Sequence, residues 1–180
     1  MNPKKKKEGQ NMVGTDNSSI KTMIAALSSH DDGERVRARH ALMAMGKAAC
    51  PSLVEVLKEG EDHARWEAVK ALDEIGDPAT APALVKALKD EMFDVRWMAA
   101  EGLIRMNIKG LKPLLQALID QGESDLLREG AHHVIHDLAK GELKKYLAPV
   151  LAALEDIAPR VEAPVAAYHA LEMLEKTKIC

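Results

Sequence analysis

Small and apolar residues recur in this chain with helical spacing, and the spacing itself returns about every 31 residues. Three segments align without gaps: RVRARHALMAMG from Arg35, RWEAVKALDEIG from Arg65 and RWMAAEGLIRMN from Arg96. A fourth, REGAHHVIHDLA, starts at Arg128. Within them Ala68, Leu72 and Ile75 fall at i, i+4 and i+7, as do Ala99, Leu103 and Met106, which is the spacing of one helix face. A second pattern is interleaved with the first. Pro51, Pro82 and Pro113 are each 31 residues apart, and each stands near the start of an apolar stretch such as PATAPALVKAL. Pro149 continues that series after a longer gap. A proline in the first turn of a helix costs little, because its missing N–H has no intrahelical partner there.

Two motifs keeping one period predict stacked helix pairs. The elements expected are 20–29, 34–45, 48–58, 63–75, 79–89, 94–106, 109–120, 125–139, 142–156 and 160–175, about five pairs in all. Gly46, Gly76-Asp77-Pro78 and Asn107 mark turns between them. Each pair carries an apolar stripe too wide to cover itself, so the fold is all-α and depends on stacking neighbours. Residues 1–18 are polar and lysine-rich and are expected to be a disordered basic tail ahead of one repeat domain over 19–177.

Composition agrees with thin helical layers. The 180 residues are 47% hydrophobic but hold only two Trp, two Tyr and one Phe. The formal charge of -3 gives no global pull toward nucleic acid or anionic membrane. Lys4 to Lys7 are not followed by the apolar run of a signal peptide, and no stretch is long and apolar enough to span a bilayer. Cys50 and Cys180 belong to no CxxC or zinc pattern, so free thiols in a reducing, cytoplasmic setting are expected.

The stretch KDEMFDVRWMAAEGL, with an acidic turn, then Val-Arg, then small residues and Leu, resembles the HEAT repeat. The period near 31 and the phrase IGDPATAPALVKAL are similar to the phycobilisome-lyase-type HEAT-like subgroup. The resemblance runs from Ile20 to Leu174 and is strongest over 34–118. It implies a right-handed α-α superhelix, with the proline-bearing helices outside and the Val-Arg helices lining the concave face.

Stacking equivalent positions then sorts residues into rows on that face. One row holds Val36, Trp66, Trp97, Glu129 and Val165. The next holds His40, Lys70, Glu101, His133 and His169. The third holds Met43, Asp73, Ile104, His136 and Glu172. Trp66 and Trp97 occupy the same position of adjacent repeats, where indoles either anchor a partner or close the edge of the core. Trp66, Lys70, Asp73, Trp97, Glu101, Arg105, Glu129, His133, His136 and His169 are the candidate partner-binding residues. Arg35, Arg65, Arg96 and Arg128 read as an inter-repeat polar ladder, with acids such as Asp94 and Asp125 capping helices.

Other chemistries find less support. His132 and His136, and Glu129 and His133, are i, i+4 pairs of a kind that can bind metal. Rows a repeat apart, however, lie about 10 Å from one another. The HEAT-like metal enzyme deoxyhypusine hydroxylase uses His-Glu dipeptides, and none of the seven histidines here precedes a Glu. No metal or other cofactor is expected. GxSxG, P-loop and GxGxxG motifs are absent. A DNA role like that of the HEAT-like alkylpurine glycosylases would need a basic concave face. Here Arg35, Arg37, Arg39, Lys70 and Arg105 are offset by Glu67, Asp73, Glu74, Glu101 and Glu129, which disfavours nucleic acid. A bilin-lyase role is implied only by the subgroup. The expected function is a non-catalytic scaffold that binds a protein or peptide on its concave face.

Overall fold

The computed structural model describes residues 17–177. They form ten α-helices: α1 (Asn17–Ala26), α2 (Asp32–Met45), α3 (Cys50–Glu59), α4 (Asp62–Ile75), α5 (Ala81–Ala87), α6 (Phe93–Met106), α7 (Ile108–Gln121), α8 (Asp125–Leu138), α9 (Lys144–Leu154) and α10 (Pro159–Lys176). The boundaries lie within a few residues of those the periodicity predicts. The tail expected at 1–18 falls outside the described residues, except that Asn17 and Ser18 already belong to α1.

The turns follow from local chemistry. Gly46 (φ 61°) and Gly76 (φ 62°) take the positive-φ conformation that ends α2 and α4, and Asn107 (φ 53°) does so between α6 and α7. Asp31 accepts from the Glu34 N–H to cap α2, and Ser124 accepts from the Leu127 N–H to cap α8. Pro51 and Pro82 stand at the second position of α3 and α5. Pro113 and Pro149 lie at the sixth position of α7 and α9 rather than in the first turn. For Pro113 the reason is that α7 starts directly after Asn107, so the lead-in that is a short 3-10 turn before α3 and α5 is wound into the helix.

The first four pairs stack in two layers. In the odd layer α1, α3, α5 and α7 pack in order; in the even layer α2, α4, α6 and α8 do the same. The core runs continuously between the layers through Leu42, Leu53, Leu72, Leu84, Leu103, Leu115 and Ile135, all buried. Burial of this kind contributes roughly 25 cal/mol per Å² of apolar surface removed from water. The array is an α-α solenoid.

The fifth pair departs from the expected register. α9 packs beside α8 in the even layer, and α10 packs against α7 and α9 on the odd side. Both run antiparallel to their new neighbours. Glu155, just past the end of α9, meets His132 at the middle of α8, 2.9 Å apart. Glu175 at the end of α10 meets Lys112 near the start of α7 at 2.6 Å. The ring of Pro164 rests where Gly122 offers no side chain, so α10 can settle against the end of α7. A stripe of small residues on α10, Ala163, Ala167 and Ala170 followed by Leu174, is buried and lets the helix approach closely. Val165, His169 and Glu172 therefore do not continue the rows of the even layer, and His169 does not join the face to which its register assigned it.

Candidate functional site

The outward face of α2, α4, α6 and α8 carries most of the candidate residues, and it is not uniform. On α4, Trp66 is only half-exposed. The Lys70 ammonium lies 4.6 Å from its ring centre and donates to Glu67 at 2.8 Å. Burial pushes the Lys70 pKa down against the opposing pull of Glu67. Glu67 is itself buried, paired also with Arg39 of α2. Trp66 and Lys70 thus form one closed unit with Glu67, which places Trp66 nearer to the core edge than to an open anchor.

Asp73 differs from expectation. Its side chain is 1% exposed, so it is not a surface group. One carboxylate oxygen accepts from Arg105 of α6 at 2.9 Å, and the other, Oδ1, has no hydrogen-bond partner. Gly102 lies directly opposite and lets the two helices close over it. Burial raises the Asp73 pKa, and Arg105 opposes that rise. Arg105 reaches across the surface, with Glu74 at 3.6 Å as a second contact. The pair ties α4 to α6 and leaves Asp73 out of reach of any ligand.

Between α6 and α8 the face opens into an aromatic cleft. Trp97 is 47% exposed and Phe93, one turn before it, is 63% exposed. Their ring centres are 6.2 Å apart, and Trp97 stacks on the His133 ring of α8 at 4.5 Å. His133 Nε2 in turn is 2.9 Å from the Glu101 carboxylate. Leu88, Arg96, Ala100, Leu126, Glu129 and Gly130 complete a groove of ~160 Å³. Gly130 takes part because a side chain there would meet Leu88. Glu129 is exposed at the rim. Phe93 and Leu126 were not singled out in the sequence, although Phe93 stands at i, i+4 from Trp97 and so shares its face.

The four arginines are half-buried near the starts of their helices. Each donates to a backbone carbonyl in the turn just before its helix: Arg35 to Ser29, Arg65 to Gly60, Arg96 to Asp90 and Glu91, and Arg128 to Gly122. Only Arg65 also links two repeats, through a bidentate contact with Asp90 at 2.8 and 3.0 Å. The ladder is therefore largely a set of ties within each pair. The helix caps also fall elsewhere than expected: Ser124, rather than Asp125, caps α8, and Asp125 pairs with Arg128.

The histidines diverge. His132 points to Glu155 and stacks with His136 at 6.1 Å, while His133 turns to Trp97 and Glu101. Among the described residues no three histidine, cysteine or acidic side chains converge to hold a metal ion. Among the same residues, no helix is long and apolar enough to cross a membrane.

A designed armadillo repeat protein in complex with the peptide (KR)4 is 21% identical, with 84% of this chain and 80% of that chain covered and a TM-score of 0.41. A second designed armadillo repeat protein is 18% identical, with 86% and 99% covered and a TM-score of 0.38. No curated protein matches the chain. The model of the HEAT repeats matches residues 50–136. Over that span, which runs from α3 into α8 and carries both tryptophans, the chain is similar to HEAT repeats.

Proposed function

We propose that this protein is a non-catalytic, cytoplasmic scaffold that holds a protein or peptide segment on the outward face of α2 to α8, anchored in the cleft between α6 and α8. The observation that carries the reading is the run of three rings, Phe93, Trp97 and His133, which crosses from one repeat to the next while remaining open to solvent. Rigid aromatic side chains of this kind supply large contact area at small entropic cost, and binding energy concentrates at such anchors. Around the cleft stand Glu129, Glu101 and, further along the face, Lys70, Arg105 and His136. This mixed rim suits a polypeptide better than a polyphosphate backbone, since Arg35, Arg65, Arg96 and Arg128 are engaged in backbone ties and Arg39 and Arg105 in pairs with buried acids.

Affinity capture from the native host with wild type and with Phe93→Ala/Trp97→Ala tests the proposal. The double variant should lose the partner, or bind it at least about tenfold more weakly when the isolated pair is titrated. Trp66→Ala should weaken binding less, because Trp66 is covered by Lys70. Identical partners captured at identical affinity by the Phe93/Trp97 variant would refute it.

A further inference from the structure

The last helix leaves an apolar face open. The buried stripe of α10 points between α7 and α9. On the opposite side of the same helix Val161, Val165 and Tyr168 stand at i, i+4 and i+7, exposed by 64%, 52% and 55%. Ile157 and Met173 are exposed near its two ends. Five of the eight large apolar side chains exposed among the described residues thus lie on or beside α10. Scattered exposed apolar groups need no explanation, but a continuous stripe along one helix does.

We propose that this face pairs antiparallel with α10 of a second copy of the chain. With a twofold axis between Val165 and Tyr168, Val165 of each copy meets Tyr168 of the other. The same register sets Glu162 opposite His169, twice by symmetry. Both side chains are exposed, and neither has an ion-pair partner among the described residues. A parallel pairing would instead put this edge of α10 on opposite sides of the interface in the two copies, so that neither Glu162 nor His169 meets the other. The antiparallel arrangement alone therefore brings the Glu162 carboxylate to the His169 ring, and an isologous contact of this kind closes on itself as a dimer. The helix is 18 residues long, or about 27 Å, so the interface is small and the dimer is weak and concentration-dependent. The proposal does not rest on the partner-binding reading, because α10 packs with the odd layer, away from the aromatic cleft.

Sedimentation velocity from about 5 µM to about 500 µM tests it, a range suited to a weak interface. Wild type should shift from monomer toward twice the monomer mass. Val165→Glu should remain monomeric throughout, and Val36→Glu, an exposed valine on α2, should behave as wild type. Thermal unfolding of each variant verifies that it is folded. Glu162→Lys should weaken the dimer about tenfold, and adding His169→Glu should restore it. A wild type that stays monomeric at the highest concentration, or a Val165→Glu that still dimerises, would overturn the dimer. A Glu162→Lys with unaltered dimerisation would overturn the antiparallel register.

Discussion

At the scale of single residues, the charged groups divide into those that hold the fold together and those free to meet a partner. Arg96 belongs to the first kind: it donates to the carbonyls of Asp90 and Glu91, and its guanidinium lies 5.6 Å from the Phe93 ring centre. Arg96→Ala should cost about 1–2 kcal/mol, a drop of roughly 3–8 °C in the melting temperature. An unchanged melting curve would mean that these ties do not hold the turn. Asp73 gives a pH signature. Its pKa is raised in the folded state by burial. An acid of this kind adds stability as pH falls from neutral toward the ordinary aspartate range, and that increment is lost as pH rises through the raised value. In denaturant titrations, wild type should therefore gain on Asp73→Asn between neutral and mildly acidic pH. A difference that stays constant with pH would contradict the assignment. The burial of Asp73 was not legible in the sequence. Its repeat position points outward, and only the combination of Gly102 and the long Arg105 side chain on the next helix covers it.

At the scale of elements, the ten helices were readable because the apolar spacing, the prolines and the positive-φ turn residues all repeat together. The placement of the last pair was not. Periodicity reports which face of a helix is apolar, but not which neighbour covers it. The covering is decided by fit: Pro164 against Gly122, and the alanine stripe of α10 between α7 and α9. Gly122→Ala would push a side chain into the Pro164 ring and should destabilise the docking of α10 by about 1–3 kcal/mol, seen as lost hydrogen-exchange protection in α10 before the rest of the chain. A zero-length carbodiimide should join Lys112 to Glu175 through an amide, located by peptide mass mapping, because the ammonium and carboxylate already meet at 2.6 Å. Failure to cross-link, with ready cross-linking of α10 to α8 instead, would restore the regular register.

At the scale of the whole molecule, the proposals give the two layers of a short solenoid different uses. The even layer presents the aromatic cleft, and the outer face of α10 on the odd side pairs two copies. A dimer would thus carry two clefts, and a partner with two copies of its motif would gain avidity without any new contact. Much of the geometry of the proposed face was legible from repeat alignment, which put Trp97, Glu101, Glu129 and His133 at neighbouring outward positions. What alignment could not supply was the difference between two equivalent tryptophans. Trp66 is closed over by Lys70, whereas Trp97 stays open between Phe93 and His133. That difference gives the most direct measurement. Trp66→Phe leaves Trp97 as the sole indole, and its emission can be followed while the captured partner is titrated in. The account predicts a blue shift and protection from acrylamide quenching as the partner covers Trp97. A partner that binds at full affinity while the emission and quenching of Trp97 stay unchanged would contradict it.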